Sequence, residues 1–328
     1  MADAVTGTTF FGTGIPVQAE NEWIGDDQLT DAQVDAPAPD DVVPNDTQYK
    51  YQKDELAAFC HFGPNTFNNI EWGENYGDKA PSEIFRLEND FDAETLVKAV
   101  KDAGFKKLIV TAKHHDGFCI WQSGETEYDM GGVTYKDGKG DILEEISAAC
   151  TAENIDMGLY LSPWDIHEPS YGYYDENGKP TNAQGDVLDY NEFYNDQLKE
   201  ILGNDKYGNN GRFTEVWMDG AKGGGADAQE YDFELWNNTI QEYEPECMIF
   251  QCGAYTTVHW IGNENGLAAK DTWAKINVDV TTFYSNIQNG YALGFENGTK
   301  WSVPEADTKI TSGWFWRPNK KTPLSMES

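Results

Sequence analysis

Apolar runs and amphipathic segments alternate along the chain from about Tyr49 onward. Five short apolar runs predict strands, and four segments with apolar residues at helical spacing predict helices. The predicted strands are LAAFCHFG (56–63), KLIVTAK (107–113), DMGLYLSP (156–163), TEVWMDG (214–220) and CMIFQCG (247–253), and the predicted helices are 91–105, 140–155, 190–204 and 232–245. We expect Asp92 to be the N-cap of the helix over 91–105 and Gly104 to stop it.

This alternation is typical of a parallel sheet whose crossovers are helices. With this many units and no GxGxxG turn, we expect an α/β fold of the (β/α)8 barrel type rather than a doubly wound sheet. Residues 1–48 lack the pattern and are acidic and proline-containing. They are predicted to be a leader that is disordered or lies over the surface, which leaves 49–328 as the catalytic domain.

Polar and aromatic residues follow the first four predicted strands, at the point where each strand ends. They are His61, Glu71 and Trp72 after the first, His114, His115 and Asp116 after the second, Tyr160, Trp164 and Asp165 at the third, and Asp219 at the fourth. In a parallel barrel the carboxyl ends of all strands open on one face, where active sites are built. These side chains are therefore expected to line one polar pocket.

The adjacent pair His114 and His115 first suggests a metal site. Neighbouring side chains on a strand point to opposite faces unless the strand has ended and the chain is turning. A zinc site needs a third ligand at a typical spacing, and the sequence shows none, so we expect no metal and no cofactor. A core or supporting role for the two rings remains open.

Carboxylates among aromatic and neutral hydrogen-bonding residues favour glycoside hydrolysis, because one carboxylate attacks or stabilises the anomeric carbon while another handles protons. A GxSxG nucleophile turn is absent. The chain has 11 Trp and 17 Tyr, and aromatic rings suit the apolar faces of sugars.

The charge balance restricts the classes of binding partner. With 23 basic and 57 acidic residues the formal net charge is −34, so nucleic acids and anionic membranes are poor partners and neutral substrates fit better. The five cysteines form no CxxC pair or other zinc spacing, and their odd number argues against a disulfide framework. No apolar run reaches 18 residues, so no membrane insertion is expected, and the N-terminus shows no intact signal peptide.

Seven blocks together resemble the α-L-fucosidases of glycoside hydrolase family 29, in family order over roughly residues 50–318. They are FCHFGPNTFNNIEWG, AKHHDGFCIWQS, GLYLSPWDIHEPSYG, YNEFYNDQLKEIL, EVWMDGAKG, HWIGNENG and PEADTKITSGWFW. The third, sixth and seventh are most similar to the subfamily that acts on α-1,3- and α-1,4-linked fucose in Lewis-type glycans.

The resemblance implies a retaining exo-glycosidase with Asp219 as nucleophile and Glu264 as acid/base. Its substrate would be a fucosylated oligosaccharide or glycoprotein glycan. It implies an enzyme secreted by a bacterium or held on its surface, with a cytoplasmic location as the alternative. Matching positions would hold the fucose, namely His61, Glu71, Trp72, His114, His115, Tyr160 and Trp217, while Trp164 and Asp165 lie where the reducing-side sugar would approach.

Two features depart from the family pattern. An arginine is expected before the tryptophan of the sixth block, and His259 stands there instead. The chain ends at Ser328, soon after GWFW, whereas the family continues, so the barrel is predicted to be incomplete at its C-terminus.

Several alternatives stay open at this point. The chain could be a catalytically silent fucose-binding barrel, or a hydrolase for another six-carbon sugar. Trp72 and Trp164 could be packing aromatics, and Asp219 could cap a helix.

Glu264 competes with other acidic residues for the acid/base role. Glu242, Glu244 and Glu246 lie on or just after a predicted helix and are expected to be solvated, while Glu296 and Glu305 are later candidates. We favour Glu264 because Trp260 and Ile261 precede it and are expected to desolvate its carboxyl partly.

Overall fold

Seven of the strands form one parallel sheet. The computed structural model describes residues 41–73, 76–87, 91–172, 189–221, 229–278, 286–311 and 313–318. Its strands in chain order are β1 (Ala57–Cys60), β2 (Lys107–Lys113), β3 (Asp156–Leu161), β4 (Glu215–Trp217), β5 (Met248–Phe250), β6 (Val258–Trp260), β7 (Lys275–Ile276), β8 (Ile287–Gln288), β9 (Tyr291–Ala292), β10 (Lys300–Trp301) and β11 (Val303–Glu305). The sheet order is β1-β2-β3-β4-β5-β6-β11, with every neighbouring pair parallel. The predicted α/β class is confirmed.

Helices pack against this sheet. They are α1 (Asp46–Asp54), α2 (Pro64–Asn68), α3 (Pro81–Ile84), α4 (Ala93–Asp102), α5 (Ile142–Glu153), α6 (Tyr190–Leu202) and α7 (Phe233–Tyr243). The predicted start of α4 is confirmed, since the Asp92 side chain accepts a hydrogen bond from the backbone N–H of Thr95. Gly104 follows the helix with a φ of 89°, a conformation that favours glycine, so the predicted stop is confirmed too.

The sheet is strongly curled. The rings of Phe59 on β1 and Trp217 on β4 have centroids 5.2 Å apart, although three strand spacings of about 4.8 Å would separate them by roughly 14 Å in a flat sheet. Trp217 also donates its indole N–H to Glu305 on β11, three strands away in the other direction. A curled parallel sheet of this kind is consistent with an incomplete (β/α) barrel.

Curling divides the core into two layers. The inner layer fills the concave side of the sheet and consists of Ile109, Tyr160, Trp217, Met248, Phe250, Val258 and Val303. The outer layer lies between the convex side and the helices and is larger, with apolar residues from β2, β3, α5, α6 and α7. Burying apolar surface on both sides explains why strands such as β2 are fully buried and show no polar alternation.

The sequence pattern missed β6 and β11. Both are three residues long, and β5 runs into β6 through residues 251–257, which hold only a short 3-10 turn, Gly253–Tyr255. Parallel neighbours usually need a crossover of a dozen or more residues, so no alternation signal marks this unit. Residues 261–302 connect β6 to β11 and carry the antiparallel pairs β7–β10 and β8–β9.

The predicted leader lies mostly outside the described residues. Helix α1 spans the predicted boundary at residue 48, with Asn45 as its N-cap. The boundary itself remains a prediction. No helix among the described residues is both long and apolar enough to cross a membrane. All five cysteines are free thiols, in agreement with the argument against a disulfide framework.

Candidate active site

A cavity of about 390 Å³ opens at the carboxyl ends of the sheet strands. Its volume falls within the usual range for small-molecule sites and accommodates a single sugar ring. The predicted clustering of His61, His114, Tyr160 and Asp219 at one end of the sheet is confirmed, since all four line this cavity. His115, Trp72, Trp217 and Glu264 line it as well.

Both adjacent histidines reach the cavity because the chain turns directly after β2. The β2–β3 register shifts between Thr111 and Lys113, and the two ring centroids of His114 and His115 are 4.1 Å apart. Gly117 closes the turn with its N–H bonded to the His114 carbonyl. Its φ is 79°, and a Cβ there would overlap the Asp165 carboxyl, so the HHDG sequence requires this glycine.

The hydrogen bonds of His115 fix its orientation. Its Nδ1 lies 2.8 Å from Ser162 Oγ, and the Ser162 hydroxyl donates its single proton to the Trp164 carbonyl at 2.7 Å. We therefore assign the Nδ1 proton of His115 as the donor to Ser162. In the neutral ring Nε2 is then an acceptor, and it faces Asp219 Oδ2 at 3.6 Å. A ligand hydroxyl between the two could donate to either atom.

Asp219 is held from two sides. Its Oδ2 accepts the Tyr160 hydroxyl proton at 2.8 Å, and its Oδ1 accepts the backbone N–H of Ala221 at 2.8 Å. Burial, followed by the Asp219 carboxylate, raises the pKa of Tyr160 well above its usual value, so its hydroxyl stays protonated and donates. The Asp219 side chain is 27% exposed and faces the cavity. The glycine-rich 222–225 beyond it lies outside the described residues.

Two of the histidines that line the cavity, His61 and His114, are uncharged near neutral pH. Burial lowers the pKa of His61 to about 3 despite the attraction of Asp219. Burial, with smaller contributions from His115 and His61, also holds the pKa of His114 well below its ordinary value. Nδ1 of His114 is buried and has no hydrogen-bond partner among the described residues. Neutral imidazoles with spare hydrogen-bonding capacity suit uncharged hydroxyl groups.

Aromatic rings form much of the remaining wall. Trp217 is stacked between Phe250, at 3.8 Å, and Tyr160, at 5.3 Å. Trp314 stacks on His61 at 5.3 Å. Trp72 is 42% exposed, so it has ring surface available to a ligand. Such surfaces pack well on the apolar faces of a pyranose.

Three of the predicted binding residues are not among the lining residues of the cavity. Glu71 accepts hydrogen bonds from the Trp314 backbone N–H and from the Arg317 guanidinium, so it ties the chain after β1 to the C-terminal segment. Trp164 is buried against His115, with ring centroids 4.6 Å apart. The predicted substrate contacts of Glu71 and Trp164 stay predictions. In the structure both residues contact protein groups behind the cavity wall.

Asp165 is the third of these residues. It is buried and forms an ion pair with the fully buried Lys113 at 3.0 Å. It also accepts the backbone N–H groups of His167 and Glu168. These bonds hold the loop after β3 against β2, and they occupy the carboxylate that was predicted to meet the reducing-side sugar.

The expected shielding of Glu264 is wrong. Glu264 is exposed at the cavity, and Trp260 instead donates its indole N–H to Asp307 at 2.8 Å. Asp307 lines the cavity and was missed, because it follows a strand that the pattern did not reveal. The pKa of Asp307 is raised to about 6, mainly by burial and further by the carboxylates of Glu264 and Asp219. The hydrogen bond from Trp260 acts in the opposite direction and lowers this pKa.

The rival acidic residues lie elsewhere. Glu244 is buried rather than solvated, because it accepts the backbone N–H of Phe213. Glu242, Glu246 and Glu296 are exposed and do not line the cavity. Glu305 is bonded to Trp217 within the sheet interior. His259 is fully buried next to Trp260 and does not line the cavity either.

A group that could hold a metal ion overlaps the cavity. His114, His115 and Asp219 each offer one ligand atom within 4.8 Å of the others, and this is the one such group among the described residues. The same atoms face a sugar placed in the cavity, so an ion and a sugar would compete for them. No third ligand is visible from spacing along the chain, because Asp219 joins the histidines only in the folded sheet.

Comparisons with known proteins agree on one family. The α-L-fucosidase family model matches residues 27–327. α-L-fucosidase 1 of Arabidopsis thaliana is 39% identical over 290 residues, 87% of this chain and 52% of the relative. A family 29 fucosidase of Ruminococcus gnavus, solved in complex with fucose, is 66% identical with a TM-score of 0.81, covering 90% of this chain and 60% of that one. The solved structure of SpGH29 is 42% identical with a TM-score of 0.76, covering 88% and 60%. The chain spans about half the length of the plant relative.

Proposed function

The chain belongs to the α-L-fucosidase family, and from that premise we propose that it releases L-fucose from α-1,3- and α-1,4-fucosylated glycans by double displacement. The observation that carries the proposal is the setting of Asp219. Tyr160 and the Ala221 backbone N–H hold its carboxylate in a cavity that Glu264 also lines. A (β/α)8-type barrel is proposed as the scaffold.

In the first step Asp219 attacks the anomeric carbon. A bond forms between its carboxylate oxygen and C1 while the bond from C1 to the glycosidic oxygen breaks. Glu264 transfers its proton to that oxygen, so the remaining glycan leaves as a neutral alcohol. The two donors on Asp219 fix the carboxylate for attack and share its charge before the reaction.

In the second step water displaces the enzyme. Glu264, now a carboxylate, takes a proton from water as the oxygen attacks C1, and the bond between C1 and Asp219 breaks. Two inversions leave fucose in its original α configuration. The two carboxyl groups of such an enzyme are expected to lie about 5–5.5 Å apart in the competent complex.

Recognition of the fucose is assigned to the buried end of the cavity. His61 and His114 present neutral rings to the sugar hydroxyls, His115 presents its Nε2, and Trp217 and Trp314 present aromatic surface. The buried histidines close this end, so a terminal sugar enters first and the rest of the glycan stays outside. This arrangement supports exo action.

Linkage preference is the finer part of the proposal, and it rests on the resemblance of the third, sixth and seventh sequence blocks. The test uses two trisaccharides, one with α-1,3/4-linked and one with α-1,2-linked fucose, followed by product analysis. We expect free fucose from the first and little from the second. Equal release from both would refute the linkage proposal but not the fucosidase activity.

NMR of the first-formed anomer tests the double displacement. Initial α-fucose supports it, whereas initial β-fucose would show single displacement and contradict the role of Asp219 as nucleophile. Binding of fucose with no release from any fucoside would instead support the silent fucose-binding barrel.

A further inference from the structure

Asp307 is a third carboxyl in the cavity, and the mechanism does not use it. Glu305 is the last residue of β11 and faces inward to Trp217, and Asp307, two residues beyond the end of the strand, lines the cavity. The carboxyl ends of parallel strands are where barrels carry functional groups. Placement alone therefore makes Asp307 a candidate for contact with a ligand.

The neighbouring strand fixes its side chain. Trp260 pairs with Glu305 in the β6–β11 register, and its indole N–H donates to Asp307 Oδ1 at 2.8 Å. An ionised carboxylate has about four acceptor positions and no donor. This single side-chain bond leaves Asp307 with acceptor capacity for hydroxyl groups, and its orientation is set before a ligand arrives.

Asp307 lies on the side of the cavity that Glu264 occupies. Besides burial, the Glu264 carboxylate raises the pKa of Asp307 more than the Asp219 carboxylate does. The segments carrying the two residues are joined, because Lys309 Nζ donates to the Glu264 carbonyl at 2.5 Å and the Ile261 N–H donates to the Glu305 carbonyl at 2.8 Å. The acid of a glycosidase marks the position of the glycosidic oxygen and hence of the leaving sugar.

The exposure of the side chains also places Asp307 on the side of the leaving sugar. His114 and His115 are 7% and 2% exposed at the closed end, whereas Glu264 is exposed and Asp307 is partly exposed. Fucose held by the histidines leaves its linked sugar beside Glu264 and Asp307. We propose that Asp307 is a specificity residue that accepts hydrogen bonds from hydroxyls of the sugar to which the fucose is attached. The inference rests on the proposed function.

The test compares a glycan with a substrate that lacks the second sugar. Asp307→Asn keeps an oxygen for the Trp260 N–H but replaces one acceptor with a donor. We expect kcat/KM for an α-1,3/4-fucosylated trisaccharide to fall by about 10- to 100-fold, mainly through KM, the usual effect of losing a bond to a charged group. For an aryl fucoside kcat/KM should stay within about 3-fold. Glu296→Gln, a similar change at an exposed residue outside the cavity, should alter neither.

Three results for Asp307→Asn would overturn the inference. An equal loss of kcat/KM on both substrates would indicate contact with fucose or a structural role. Unchanged kcat/KM on both substrates, or a loss confined to the aryl fucoside, would also contradict it. If the wild-type protein releases no fucose from either substrate, the proposed function fails, and affinity then decides on Asp307. In that case Asp307→Asn must weaken binding of the trisaccharide and leave binding of free fucose unchanged. Unchanged affinity for the trisaccharide would refute it.

Discussion

Two polar clusters lie on the concave side of the same sheet and differ in what surrounds them. The carboxyl-end cluster consists of Asp219, Glu264 and Asp307 around the cavity. The amino-end cluster is named after Lys107 and Glu215, the first residues of β2 and β4, and it also includes Tyr51 from α1 and Glu305, the last residue of β11. The first group faces the cavity, whereas the polar atoms of the second group bond mainly to one another.

The amino-end cluster must share a proton. Tyr51 has one hydroxyl proton, yet its oxygen lies 2.7 Å from Glu215 Oε2 and 2.5 Å from Glu305 Oε2. It can donate to only one of them, so the other contact requires a protonated carboxyl. Oε1 of Glu215 is buried with no partner among the described residues, which is costly for a carboxylate and favours the proton on Glu215.

Lys107 completes this cluster. Its Nζ lies 3.2 Å from Glu215 Oε2 and 3.4 Å from the centre of the Tyr51 ring. Helix α1 is thereby fastened to three strands of the sheet. The comparison teaches that charges buried with partners hold the fold together, while carboxyls left facing a cavity remain available for chemistry. Substitutions in the two clusters should therefore affect different properties.

The largest expected effect is at Asp219. Asp219→Ala removes the nucleophile, so release of fucose from both a glycan and an aryl fucoside should fall on the order of 10⁴-fold or more. The free energy of unfolding should change little, because Asp219 faces the cavity and water there can replace it as the acceptor of the Tyr160 hydroxyl. Fucose release and thermal unfolding measure the two. Substantial residual release would contradict the assignment, and a large loss of stability would contradict the contrast between the clusters.

Glu264→Gln should have the next largest effect. Loss of general acid–base help should slow cleavage of a natural glycan on the order of 10²-fold or more. An activated aryl fucoside should suffer much less, since its leaving group needs no proton, and added azide should restore turnover by attacking the fucosyl-enzyme. Glu296→Gln is the matched control. Glycan cleavage at near wild-type rate would remove Glu264 from the role.

Tyr51→Phe tests the amino-end cluster. It removes the hydroxyl that joins the two carboxyls, so the free energy of unfolding should fall by about 1–3 kcal/mol, the usual cost of leaving buried polar groups unpaired. The KM for fucosides should not change, because Tyr51 does not line the cavity. Tyr49→Phe makes the same change on the same helix at a ring that is 55% exposed and should have little effect. Equal urea midpoints for the two variants would refute the prediction.

A pH dependence of stability is expected from Glu215. Burial, then the neighbouring Glu305 carboxylate, raise the pKa of Glu215 to about 7 in the folded protein, above a value of about 4.3 for an unfolded chain. The stability that its proton contributes is complete below about pH 4.3 and is lost as the pH rises through 7. Glu215→Gln should flatten this part of the profile.

Urea unfolding of the wild type and Glu215→Gln at pH 5 and pH 8 measures this contribution. The stability of the variant relative to the wild type should be higher at pH 8 than at pH 5. An identical difference at both values would show that Glu215 keeps the same charge throughout.

The local pattern of apolar and polar residues was sufficient to predict much of the fold. The predicted strands at 107–113 and 156–163 and the predicted α4 correspond to observed elements, because apolar period and caps are local properties. The three-residue strands β6 and β11 are too short to leave such a signal. Pairing with neighbours that are distant in sequence defines them.

Some features of the candidate site could likewise be predicted from the sequence, and others appear only in the tertiary structure. The sequence by itself determined that His61, His114, Tyr160 and Asp219 end parallel strands, and parallel strands bring their carboxyl ends together. Only the tertiary structure decided that Lys113 engages Asp165 and that Trp260 turns its indole to Asp307 rather than shielding Glu264. These contacts depend on strand register, on the curl of the sheet and on side-chain direction, which arise from long-range packing and leave no spacing to read along the chain.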